Sequence, residues 1–318
     1  MSLPPKPRAH LVERAIEAMG GNALEPAAAA VVPAAPLAID AKAAGETATL
    51  EAEAPASARE ATPAGQRPEV NATVLKAAGL VAAAAGTMRS RLSEEINLIH
   101  HQVLRTVRRT PTADGRCGRI VLVTSARPNE GKTFSSLNLA ASIAAGGRSP
   151  VVLVDADGKR GSLSTLLGLA EVPGLRLLAA DPKARPAPLL VPTAQDRLFI
   201  LPFGVQGSGE PEIPPGEMLA AAILRMALSL PEHIIVVDSP PCLSTSDPSS
   251  LAPIAGQVVM VIQAERTQQG EVEAALDLVD ACPNLQLMLN RTRLTSSTTF
   301  GAYGDYGSYG AYGTRPAD

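Results

Sequence analysis

One stretch constrains this chain more than any other: Ser125-Ala126-Arg127-Pro128-Asn129-Glu130-Gly131-Lys132-Thr133. Ahead of it runs Ile120-Val121-Leu122-Val123, an unbroken β-branched and aliphatic run of the kind a strand shows when both its faces are buried. Behind it, Phe134, Leu137, Ala140, Ala141 and Ala144 recur at helical spacing. Strand, loop, Gly-Lys-Thr, helix is the context of a phosphate-binding loop, in which loop N–H groups and the helix N-terminus face the phosphates. In that reading Ala126, Arg127, Pro128, Asn129, Glu130, Gly131, Lys132 and Thr133 cradle a nucleotide. Lys132 reaches its β- and γ-phosphates and the Thr133 hydroxyl ligates Mg²⁺. Ala126 stands where the usual pattern has glycine.

The chain around this loop alternates as an α/β sheet does. Strands are expected at 119–124, 151–155, 197–202, 233–238, 257–263 and 285–290. Helices are expected at 132–146, 162–168, 216–230, 247–254 and 268–281. Right-handed crossovers between parallel strands make a three-layer sandwich with ligand loops at the strand C-termini. Two further acidic motifs fall at that end: Val154-Asp155-Ala156-Asp157 and Val237-Asp238-Ser239-Pro240-Pro241. Asp155 and Asp238 read either as caps of the helices that follow or as holders of Mg²⁺ beside the phosphate loop; two such carboxylates with one Gly-Lys-Thr favour the metal role.

With 318 residues the chain has room for one or two domains, and its net charge of −3 offers no electrostatic hold for nucleic acid or an anionic membrane. Cys117, Cys242 and Cys282 stand far apart, the pattern of buried thiols in a reducing compartment. There is no signal-peptide pattern and no apolar run long enough to span a bilayer. The expectation is a cytoplasmic protein whose membrane contact, if any, comes through a partner. Residues 24–70 are dominated by Ala, Pro and Glu without an aromatic residue, so 1–90 read as a largely disordered extension. Leu11–Met19, stopped by Gly20-Gly21, is a short helix within it, either fraying or a docking segment. A further helix is expected at 92–107, with Ser93 as its N-cap and Ile96, Ile99 and Val103 as its apolar stripe.

All four tyrosines of the chain, Tyr303, Tyr306, Tyr309 and Tyr312, sit in the last sixteen residues, spaced by glycine. Glycine keeps such a segment loose and each phenol accessible. A low-complexity adhesive tail is the competing reading.

Taken together, Ser-Ala-x-Pro-x-Glu-Gly-Lys-Thr, Val-Asp-Ala-Asp, Val-Asp-Ser-Pro-Pro and Ala264-Glu265-Arg266-Thr267 resemble bacterial tyrosine kinases, most narrowly the cytoplasmic autokinases of exopolysaccharide and exosortase loci. The resemblance implies an ATP- and Mg²⁺-dependent P-loop kinase domain over 91–295 and a flexible autophosphorylated tail over 296–318. The loop at 126–133 then becomes Walker A, Asp155–Lys159 Walker A′ and Ile234–Asp238 Walker B. It also implies roles: Lys132 stabilising the transferred phosphoryl, Asp155 receiving the phenol proton with Asp157 in support, and Thr133, Asp155 and Asp238 at the metal. A membrane chain-length-determinant (polysaccharide co-polymerase) partner and self-association come with the family. Spacing alone does not separate Asp155 from Asp157.

Three departures from that pattern stand out. Asn129 replaces a glycine, Gly158-Lys159 replaces a large residue followed by Arg, and the subunit-contact helix shows Asn97, His100 and His101 where basic residues belong. Two other readings remain at this point. One is a ParA/MinD-like ATPase switch, with Arg127 at the place of that group's extra lysine. The other is a degenerate kinase that regulates polysaccharide export structurally.

Overall fold

The computed structural model describes residues 68–81, 90–113, 115–159, 161–205 and 214–292. The expected helix at 11–19 and the tyrosine tail lie outside these residues. In chain order the elements are α1 (Ala72–Ala77), α2 (Arg91–Arg109), β1 (Cys117–Ser125), α3 (Lys132–Ala145), β2 (Val151–Asp155) and the single helical turn α4 (Leu163–Leu166). Then follow α5 (Leu175–Ala180), β3 (Val191–Pro192), β4 (Leu198–Leu201), α6 (Gly216–Ser229), β5 (Ile234–Asp238), α7 (Asp247–Leu251), β6 (Ala255–Gln263), α8 (Gln269–Asp277) and β7 (Leu285–Asn290).

The strands form one sheet in the order β3-β4-β2-β5-β1-β6-β7. Every pairing is parallel except the short β3–β4 contact. Helices cover both faces, so the apolar runs alternate between two cores. Ile120 and Leu122 of β1 and Val152 and Val154 of β2 pack with Leu219, Ile223 and Met226 of α6 and with Val272 of α8. Their neighbours Val121, Val123, Val151 and Leu153 pack on the other face with Val103 of α2 and Leu137, Ala140, Ala141 and Ala144 of α3. The three alanines of α3 are small enough to bring that helix close onto the sheet, directly behind the phosphate loop. This is the α/β, mostly parallel three-layer sandwich that the sequence predicts.

Two boundaries differ from expectation. The cap of α2 is Ser90, whose side chain accepts from Ser93 N at 3.1 Å, while the Ser93 hydroxyl donates to Ser90 O at 2.6 Å. The helix therefore starts upstream of the Ser93 cap expected from the sequence. Residues 68–81, assigned by composition to a disordered extension, are part of the fold. Val70 N donates to Pro192 O at 3.0 Å, Ala194 N returns to Val70 O at 2.8 Å, and Leu75 is 1% exposed in the α3-side core. Composition missed this because only Val70 and Leu75 are fully buried, with Val74, Ala78 and Leu80 packed beside them, too few to change the average of an Ala-rich stretch. Among the described residues no helix is long and apolar enough to cross a membrane.

Candidate functional site

The loop between β1 and α3 turns twice through left-handed backbone. Asn129 has φ 67° and Gly131 φ 97°. Asparagine is among the few non-glycine residues that tolerate this region, so its replacement of glycine leaves the turn intact. At Gly131 a Cβ would lie 2.2 Å from Asn290 Nδ2, because the Asn290 amide reaches back from the end of β7 and donates to Glu130 O at 2.8 Å. Glu130 is buried and faces inward. Its carboxylate accepts from Arg127 N at 2.7 Å, from Gln263 N at 3.3 Å and from the Thr267 hydroxyl. Glu130 thus fastens the loop to the end of β6. Arg127 points away to pair with Glu271 of α8 at 3.0 Å.

The loop delivers Lys132 to the first turn of α3, where backbone N–H groups lack intrahelical acceptors and the helix dipole favours anions. Lys132 Nζ lies 2.5 Å from Asp157 Oδ2, with both side chains largely buried. Burial alone would lower the Lys132 pKa, but the charges of Asp238, Asp157 and Asp155 outweigh it and hold the ammonium above its ordinary value.

Parallel pairing of β2 with β5 sets Asp155 opposite Asp238, and Ala156 N donates to Asp238 O at 2.8 Å. The two carboxylates have different surroundings. Both oxygens of Asp155 are engaged: Oδ1 accepts from Asp157 N at 3.1 Å, and Oδ2 accepts from Ser164 N at 2.8 Å and the Ser164 hydroxyl at 2.6 Å. Asp238 accepts from Ser136 Oγ at 3.1 Å through Oδ1, while its Oδ2 is buried without a hydrogen-bond partner. Burial pushes the Asp238 pKa up to about 7, against the opposing influence of Lys132, Thr133 and Ser136 and with the help of the Asp155 charge. Asp157 Oδ1 is likewise buried and unpartnered.

Two orphaned acceptor oxygens, three carboxylates facing one ammonium and a loop of backbone donors fit a magnesium-bound nucleotide phosphate. Among the described residues no group of three or more His, Cys, Asp or Glu side chains could hold a metal ion by itself.

The Asp157–Lys159 turn explains another departure. At Gly158, φ 62°, a Cβ would lie 2.4 Å from the Phe203 ring. Phe203 fills the space that a larger residue at 158 would take, and its N–H donates to Ser164 Oγ at 2.9 Å, so one ring and one hydroxyl fix both ends of the acidic turn. Ser136, Ser164, Phe203 and Asn290 all shape the site, yet the sequence does not single them out, whereas Thr267 closes the Ala264–Thr267 motif read from the sequence. Of those four only Asn290 carried a signal, as a polar residue at the C-terminal end of a strand. On α2, Asn97 Oδ1 accepts from Ser142 Oγ at 2.9 Å and His100 Nδ1 lies 3.0 Å from the same hydroxyl. These positions of the expected subunit-contact helix are turned toward α3 of their own chain.

No family model matches the chain. It is 30% identical over 172 residues to the tyrosine-protein kinase wzc of Salmonella typhimurium, covering 51% of this chain and 22% of that protein. It is 25% identical over 215 residues to the tyrosine-protein kinase YwqD of Bacillus subtilis, covering 65% of this chain and 86% of that one. Its matches to the first relatives span only 20 to 22% of their length. Among solved structures, the chimerical protein CapA2B2 shares the fold with a TM-score of 0.52 at 23% identity, covering 65% of this chain and 87% of that one. Over about half its length the chain is thus similar to proteins named as tyrosine-protein kinases, and it shares its fold with CapA2B2.

Proposed function

We propose that this protein is an ATP-dependent tyrosine autokinase that phosphorylates Tyr303, Tyr306, Tyr309 and Tyr312 of its own tail. The observation that carries the reading is the convergence of Lys132 with two buried carboxylates, Asp157 and Asp238, each holding an unpartnered oxygen at the end of the phosphate loop. Bound Mg²⁺ supplies charge neutralisation of the phosphates; Thr133 and Asp238 are the residues that hold it. Lys132 leaves Asp157 for the β- and γ-phosphates, which frees the Asp157 carboxylate to accept the phenol proton. We assign that role to Asp157 rather than Asp155, because Asp155 has no oxygen free of a donor. Phosphoryl transfer asks the protein mainly for positioning and charge stabilisation, which this rigid, largely buried constellation provides. Similarity to proteins named as tyrosine kinases and the restriction of tyrosine to the tail support a phenol, and not water, as acceptor.

The motif resemblance extends the proposal to exopolysaccharide loci, including those with an exosortase, and to a membrane polysaccharide co-polymerase partner that recruits this chain from the cytoplasm. Incubation of the purified chain with Mg-ATP, read by phosphotyrosine mass spectrometry, tests the activity. Labelling of the tail in the wild type and its loss in Lys132→Met are expected. ATP hydrolysis without any phosphotyrosine would move the reading to an ATPase switch, and neither activity to a structural regulator.

A further inference from the structure

At the end of the sheet opposite Lys132, where β1 and β7 begin, lies a cavity of about 560 Å³. Arg105 and Arg109 from the last turns of α2, Arg116 from the turn into β1, and Pro111 and Pro283 are among its lining residues. Arg116 is anchored, donating to Pro253 O at 3.2 Å and to Ala281 O at 2.7 Å. Arg105 and Arg109 are exposed and make no ion pair or hydrogen bond among the described residues. Basic residues at a helix C-terminus offset the helix dipole. That accounts for Arg105 and Arg109 singly, and the two carbonyls hold Arg116 in place, but neither supplies a counter-charge where the three guanidinium groups meet at one concavity. No carboxylate is among the lining residues.

We propose that this cavity binds phosphotyrosine, and that its occupant is the phosphorylated tail of this chain or of a second copy. The inference rests on the autokinase reading above. Guanidinium groups bind phosphate through paired N–H donors and stack on aromatic faces, while the proline walls suit a ring. The span also fits. From Asn284, at the cavity, to Thr292 the chain runs at most about 26 Å, and from Thr292 to Tyr303 it can extend about 36 Å at roughly 3.3 Å per residue. Every tail tyrosine can therefore return to its own cavity or reach a neighbour's. Modification then creates a ligand for the same protein, far from the nucleotide.

The test uses the full-length, dephosphorylated chain and a synthetic peptide of residues 301–313, made with and without phosphate on Tyr306 and Tyr309. The phosphorylated peptide is expected to bind at least about tenfold more tightly by fluorescence anisotropy. The double variant Arg105→Ala/Arg109→Ala is expected to lose that margin while binding ATP with unchanged affinity, which also reports that its fold is intact. Equal binding of the two peptides, or a margin that survives in the double variant, overturns the proposal. If instead the variant weakens ATP binding and leaves the peptide unaffected, the cavity takes free nucleotide and the tail assignment falls. The peptide is phosphorylated by synthesis, so a chain that binds it without labelling itself overturns only the autokinase reading. A chain that labels itself but shows no phosphate-dependent binding overturns only this inference.

Discussion

At the scale of single residues, the acidic side chains at the strand ends divide into one structural anchor and two groups with spare acceptors. Asp155→Asn is expected to cost about 1–3 kcal/mol of stability in urea unfolding, because an acceptor of three donors becomes half donor. Asp157→Asn is expected to lower tyrosine phosphorylation a hundredfold or more and, by taking the charge of its partner from buried Lys132, to cost about 3 kcal/mol of stability as well. Phosphorylation lost in Asp155→Asn and kept in Asp157→Asn would return the proton-accepting role to Asp155. Asp238 adds a pH dependence. Its folded pKa of about 7 lies above the unfolded value near 4. Between those limits the unfolded chain ionises while the folded chain keeps its proton, so rising pH erodes stability through this window and not beyond it. The erosion is on the order of 4 kcal/mol in metal-free protein. Urea titrations at pH 5 and pH 8 should show it in the wild type, and Asp238→Asn should flatten it.

At the scale of elements, Arg127 distinguishes a kinase from a switch. Its guanidinium pairs with Glu271 across to α8 of the same chain, an exposed pair worth under about 1 kcal/mol. Arg127→Ala is therefore expected to keep autophosphorylation within about twofold and to leave light scattering with ATP unchanged. Loss of ATP-dependent dimerisation and of ATP hydrolysis in Arg127→Ala would favour the switch reading. Elements are also where the sequence was most readable. The runs at β1, β2, β5 and β6 are apolar on both faces, and the Gly-Lys-Thr turn fixes where α3 begins, so those positions follow within a few residues, whereas α5 has no counterpart among the expected helices. What stayed hidden was held by single long-range contacts. Ser164 looks like any serine in a short turn until Asp155 and the Phe203 N–H meet on its hydroxyl. Gly158 looks like a lost side chain until Phe203 is seen in its place. The β3 strand has two residues and pairs with β4 alone within the sheet, too short for any periodicity to register.

At the scale of the whole molecule, the folded unit begins well before the helix that the sequence marks as its start. Leu75→Ala is expected to cost about 2–4 kcal/mol in thermal or urea unfolding, as a buried leucine removed from a packed core does. An unchanged midpoint would show that 68–81 are not part of the cooperative unit. The same segment meets the nucleotide-binding half directly. Val81 N donates to Asn138 Oδ1 at 2.8 Å, and Asn138 Nδ2 donates to Gly79 O at 3.0 Å, midway along the helix whose first residue is Lys132. In mechanical terms the N-terminal extension is a lever with two points of attachment, the sheet edge at Val70 and the back of α3 at Val81. Residues 68–81 thereby tie the sheet edge to the helix that carries the phosphate loop, so a shift of one attachment is transmitted to the other.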